Sequence, residues 1–124
     1  VFLANSHPAV QMDLLSGLPN AEFVVADTMD LWINVARDDL TTLLGRVSGL
    51  ALNYDEAELY TGHRNPVTAG LKMLEQGPEF VVIKKGEHGA ILVRRRRSRR
   101  TTRPARPRVA HRPGSAQCQC RWCR

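Results

Sequence analysis

Between Val1 and Val93 the chain alternates short continuous apolar runs with stretches in which apolar residues recur every three or four positions. The runs Glu22 to Asp27, Gly49 to Asn53 and Glu79 to Lys85 are rich in Val, Ile, Phe and Leu and bounded by Gly, Pro or Asn, which predicts buried strands. Phe2 to Ala4 reads as the end of an earlier strand. Between them, Leu40, Leu43, Leu44 and Val47 fall at i, i+3, i+4 and i+7 and predict an amphipathic helix over Asp38 to Val47. The same spacing predicts a helix over Pro8 to Ser16 with Val10, Leu14 and Leu15 inward, and another over Pro66 to Gln76 with Val67, Leu71 and Leu74 on one side. Asp55 to Thr61 reads as a brief helix stopped by Gly62. Gly86-Glu-His-Gly89 before Ala90 to Val93 has the turn chemistry of a hairpin.

The order is therefore β-α-β-α-β-α-α-β-β. Strands alternating with helices imply right-handed crossovers and a mainly parallel α/β sheet, expected to be covered on both faces. Ligands of such sheets bind outside the carboxyl ends of the strands. Asp27, Asn53 and the Lys84 to Gly89 turn all fall at ends of that kind.

Charge divides the chain. Up to Val93 there are six Lys and Arg against all twelve Asp and Glu, net −6; from Arg94 onward there are twelve Arg, no Lys and no acid, net +12. No apolar run approaches the roughly 20 residues that a membrane span needs. The three cysteines, Cys118, Cys120 and Cys123, sit in the last seven residues, so a disulfide-stapled secreted domain is not expected and the compartment is read as cytoplasmic. Val1-Phe2-Leu3-Ala4 opens directly in an apolar run without an initiator Met or a charged leader, which places the expected start of the protein upstream.

Candidate chemistry gathers at the strand ends. Asn53 and Glu56 are three residues apart where a strand enters a helix, so both can face one crevice. A carboxylate there could hold Mg²⁺ through water, with the amide orienting a phosphate; equally, Asn53 could cap the helix with Glu56 completing a capping box. Lys84 with Gly86 and Gly89 could approach a phosphate, or could be an ordinary tight turn with exposed lysines. Asp27 could contact a substrate hydroxyl or simply begin a loop. His7, His63 and His88 show no metal-ligand spacing, and no Walker-type loop or G-x-G-x-x-G is present.

Taken in order, Phe23-Val-Val-Ala-Asp-Thr-Met-Asp-Leu-Trp32, Leu52-Asn-Tyr-Asp-Glu-Ala-Glu-Leu-Tyr-Thr-Gly62 and Phe80-Val-Val-Ile-Lys-Lys-Gly-Glu-His-Gly-Ala-Ile-Leu-Val93 resemble the PfkB family of ribokinase-like kinases. The resemblance runs through Val93 and implies an incomplete ribokinase-like three-layer fold over residues 1–93. It also implies transfer of the ATP γ-phosphoryl group to a sugar or nucleoside hydroxyl. It places Asn53 and Glu56 near Mg²⁺ and phosphate, Lys84, Gly86 and Gly89 near ATP, and Asp27 at the substrate crevice. Lys84 stands where many members have Thr, which alters that phosphate contact. The family's D-x-x-G-x-G-D motif, whose last Asp is its catalytic base, is absent: residues 94–124 contain no Asp. No catalytic residue is assigned, and the chain alone is expected to be inactive.

For residues 94–124 three readings stand: an Arg-rich arm binding nucleic acid non-specifically, a poor zinc site at Cys118 to Cys123, or a frameshifted continuation of a GC-rich gene. Arg without Lys, mixed with Pro, Ala, Gly, Cys and Trp, favours the frameshift, and so polar a segment is expected to be disordered. A non-catalytic scaffold derived from a kinase is the remaining alternative. The substrate within its class and the oligomeric state are not legible.

Overall fold

In the computed structural model, residues 1–95 are described. Of the Arg-rich segment only Arg94 and Arg95 are described; residues 96–124, with the cysteines, lie outside the described residues, as do the expectations attached to them.

The elements are β1 (Phe2–Leu3), α1 (Pro8–Ser16), β2 (Val25–Asp27), α2 (Asp30–Val35), α3 (Arg37–Leu44), β3 (Gly49–Asn53), α4 (Tyr54–Thr61), α5 (Pro66–Leu74), β4 (Phe80–Lys84) and β5 (Ala90–Arg94), with a 3-10 turn at Gly86–His88 before β5. The sheet order is β1-β2-β3-β4-β5; the first four strands are parallel and β5 pairs antiparallel with β4. The expected α/β class and order of elements are both present. One element was not anticipated: α2 is only six residues long and buries a single side chain, Ile33, so no apolar stripe announces it.

Sequential strand order decides where the helices go. Each parallel crossover moves one strand in the same direction, and a right-handed crossover taken repeatedly in one direction always passes over the same face. The helices accordingly form one layer, and the expectation of cover on both faces is corrected: among the described residues, helices cover one face only. The register makes this visible. Leu3, Ala26, Leu50, Val81 and Val93 lie in one row across the sheet, with Leu52 and Ile83 beyond it, and all are buried with Leu15, Leu40, Leu43, Leu44, Ala57, Tyr60, Met73 and Leu74 of the helices. Alternation of side chains sends Phe2, Val25, Gly49, Ala51, Phe80, Val82 and Leu92 to the other face.

Two helices turn a different side inward from the one their apolar pattern suggests. In α1, Val10 and Leu14 are exposed, while Pro8, Gln11 and Leu15 are buried. The amide of Gln11 donates to the carbonyls of Ala4 (2.9 Å), Asp27 (3.0 Å) and Leu3 (3.4 Å), so a polar residue is drawn inward by strand-end acceptors that need donors. In α5, Val67 and Leu71 are exposed, and Ala69, Gly70, Met73 and Leu74 face the sheet. A Cβ on Gly70 would lie 2.6 Å from Val93 Cγ2; the missing side chain lets α5 sit close over β5. The α3 stripe, Leu40, Leu43 and Leu44 with Val47 just beyond, is buried as its spacing predicts.

Candidate functional site

Three neighbouring parallel strands end side by side at Asp27, Asn53 and Lys84, with Asn53 and Lys84 in direct register. Lys84 Nζ reaches back over the end of β3 to Asp27 Oδ1 at 3.4 Å, which joins the outer two strand ends across the middle one. The Lys84 side chain is 51% exposed, so this pair contributes at most about 1 kcal/mol and its lysine is free to exchange partners. Asp27 Oδ1 also accepts the Thr28 N–H at 3.1 Å.

Glu56 enters from the first turn of α4. Asn53 Oδ1 accepts the Glu56 N–H at 2.7 Å and Glu56 Oε2 accepts the Asn53 N–H at 2.7 Å, a complete capping box. The capping reading of this pair is thus realised, and the box itself fixes what else the two residues can do. Asn53 Oδ1 and Glu56 Oε2 are committed to the helix, which leaves the Asn53 amide nitrogen and Glu56 Oε1 for a ligand. Glu56 is 8% exposed, and burial pushes its carboxyl above the usual carboxylate range. The Asn53 N–H and the Lys84 ammonium pull the other way, while Asp27 and Asp30 add to the rise. Two further carboxylates and one lysine therefore share the carboxyl end of the sheet within electrostatic reach of Glu56.

Among the described residues no group of three or more His, Cys, Asp or Glu could ligate a metal. With one uncommitted carboxylate oxygen on Glu56 and no group of three acidic or histidine ligands, the donor set fits Mg²⁺ held through its water shell and does not fit a cage of protein ligands. The anticipated turn after Lys84 is present. Gly86 and Gly89 have φ of 59° and 80°, the left-handed region that favours glycine, and added Cβ atoms there would meet nothing within 4 Å. Lys85 N–H donates to the Gly89 carbonyl at 2.7 Å and closes the turn. The two glycines therefore serve the turn, and their open surroundings leave the backbone accessible to an anion.

The structure also brings in residues that sequence reasoning passed over. Gln11 and Thr28 are buried polar residues beside Asp27, and Gln11 secures the ends of β1 and β2 to each other. In the adjoining corner, Trp32 Nε1–H donates to Asn5 Oδ1 at 2.9 Å and the His7 ring meets Trp32 edge-on at 5.0 Å. A lone Gln among the apolar positions of a predicted helix was the available signal. His63 and His88 are exposed.

No family model and no curated protein matches this sequence. Solved structures do. The phosphomethylpyrimidine kinase of Clostridium difficile superposes with a TM-score of 0.63 at 24% identity, covering 77% of this chain and 49% of that one. A PfkB protein from Polaromonas follows with 0.58 at 21%, over 73% and 36%. Aminoimidazole riboside kinase of Salmonella enterica gives 0.57 at 18%, over 75% and 36%. At these identities the likeness establishes the fold: the chain has the ribokinase-like α/β fold and spans between about a third and a half of these proteins' length. No helix among the described residues is long and apolar enough to cross a membrane.

Proposed function

We propose that residues 1–93 are the central portion of a PfkB-type kinase that transfers the ATP γ-phosphoryl group to a hydroxyl of a sugar or nucleoside in the cytoplasm. The observation that carries this reading is the meeting of Asp27, Asn53, Glu56 and Lys84 at the carboxyl ends of β2, β3 and β4, the place where parallel α/β sheets bind ligands. The kinases that share the fold support it, as do the motif blocks that carry these four residues.

Each residue has a part that its geometry allows. Lys84, half exposed and held by a single long contact, can leave Asp27 for a phosphate oxygen of ATP, while Gly86 and Gly89 keep the adjacent backbone open to the same phosphates. Glu56 Oε1 can orient water of a Mg²⁺ shell, and the Asn53 amide can donate to a phosphate oxygen. When bound, Mg²⁺ would neutralise charge developing on the transferred group. Asp27 lies where the acceptor hydroxyl of the substrate would arrive. No residue of the chain occupies the catalytic base by motif, so positioning without proton abstraction is expected and turnover is not.

The coding DNA tests this directly. Translating the other two frames downstream of the Val93 codon is expected to reveal D-x-x-G-x-G-D, and the protein reconstructed in that frame should phosphorylate a sugar or nucleoside while the 124-residue chain does not. Only an Arg-rich open frame, or measurable turnover by the 124-residue chain itself, would overturn the reading.

A further inference from the structure

A cavity of about 260 Å³ opens between α3, α4 and α5, lined by Arg37, Thr41, Tyr60, Thr61, Lys72 and Gln76. Tyr60 and Thr61 close α4, the helix whose first turn carries Glu56. Two of the six cations that precede Arg94 line the cavity and no carboxylate does, in a stretch whose net charge is −6. Arg37 is held in place there. Its guanidinium lies over the Tyr60 ring, 4.9 Å from the centroid, and donates to the Tyr60 carbonyl. Tyr60 is buried, and its hydroxyl donates to Thr41 Oγ1 at 2.9 Å, because the proton of that oxygen goes to the Arg37 carbonyl at 2.9 Å. A guanidinium stacked on a ring keeps its N–H groups in plane, and the carbonyl takes one of them, which leaves the others for an anion.

Lys72 supplies the second charge. It pairs with Glu75 at 3.3 Å, both side chains are more than half exposed, and so weak a surface pair yields readily to a ligand. The carbonyls at the end of α4 that would repel an anion are occupied: that of Ala57 by the Thr61 hydroxyl at 2.7 Å, that of Glu58 by the Gly62 N–H at 2.7 Å and that of Tyr60 by Arg37. We propose that this cavity binds the phosphate group of a small phosphate ester, held by Arg37 and Lys72. A planar guanidinium fork beside an ammonium suits phosphate oxygens, and a dianion matches the two cations where a single carboxylate would leave one unmatched. The volume falls just under the roughly 300 Å³ at which pockets for drug-sized ligands begin, which admits a short ester and excludes a nucleotide. This does not depend on the phosphotransfer reading.

Two-dimensional proton–nitrogen NMR of the full 124-residue chain tests it, with glycerol phosphate and inorganic phosphate titrated in turn at constant ionic strength. The expected result is a saturable shift of the Arg37, Thr41, Thr61, Lys72 and Gln76 amides, with the ester binding more tightly than the free ion. Arg37→Gln should weaken binding at least about tenfold, in line with the loss of a charge-assisted hydrogen bond, and Lys72→Gln about threefold or more. Arg37→Gln also removes the donor to the Tyr60 carbonyl; if it disturbs the fold, Lys72→Gln at an exposed position gives the same readout with the fold intact. Lys84→Gln should leave these shifts unchanged, which separates the cavity from the strand-end site. Shifts confined to Lys84–Gly89 or to the Arg-rich residues, no saturation at the cavity amides, or saturation indifferent to both cavity substitutions overturns the proposal. Tighter binding of inorganic phosphate than of the ester overturns the ester as occupant.

Discussion

Glu56 shows how one side chain can be tied to a helix and still be poised for a ligand. Its Oε2 closes the capping box on the Asn53 N–H, while burial holds its carboxyl above the ordinary value of 4.5. The folded state therefore keeps the Glu56 proton to a higher pH than the unfolded chain does. Its contribution to stability is full below pH 4.5 and is lost as pH rises through the raised folded value. Glu56→Gln retains an acceptor for the Asn53 N–H but cannot ionise. The variant is expected to lose this downward slope, so that its denaturant midpoint relative to wild type improves as pH rises from 4.5; parallel profiles for the two proteins would contradict the assignment. The pairing of Asn53 with Glu56 was legible because a spacing of three at a strand-to-helix junction has few uses. Lys84 turning back to Asp27 was not, since that contact joins residues 57 apart in sequence through two strand registers.

Among the elements, α3 was readable and α1 and α5 were misread for one physical reason: periodicity counts apolar residues but does not measure how closely a helix must approach its sheet. In α5 the small residues Ala69 and Gly70 face inward because proximity to β5 leaves no room for more. Gly70→Ala should destabilise the fold by about 1–2 kcal/mol, since overpacking against Val93 outweighs the gain in helix propensity, and Val93→Ala should relieve part of that cost. Equal stability of Gly70→Ala and wild type in urea would mean that α5 sits farther from β5. In α1 Gln11 faces inward beside Pro8 and Leu15, and its amide is shared among carbonyls at the ends of β1 and β2. Gln11→Met preserves volume and removes the donors, which should cost about 1–3 kcal/mol. An unchanged midpoint would show that these carbonyls find other donors.

At the scale of the whole molecule, the α/β class and the order of strands could be read because apolar runs and helical stripes alternate along the chain. The sheet face that the described residues leave uncovered could not, because local pattern does not reveal that every crossover passes over the same side. The same topology sets a gradient of stability. β4 is paired along five residues with each of its two neighbours, β3 along five with β4 and three with β2, and their inward residues Leu50, Leu52, Val81 and Ile83 are essentially inaccessible. β1 contributes two residues, is paired on one side only among the described residues and leaves Phe2 60% exposed. Packing of the open face would shield all the strands from that side, but it would not supply the hydrogen bonds that β1 lacks at its outer edge. Local opening of β1 should therefore need far less free energy than opening of the sheet's centre. In native-state hydrogen exchange the amides of β3 and β4 are expected to exchange at least roughly a hundredfold more slowly than that of Leu3, with a denaturant dependence that matches global unfolding for the former and is nearly flat for the latter. Uniform protection across all five strands would show that the β1 edge is held by a partner that the described residues do not supply.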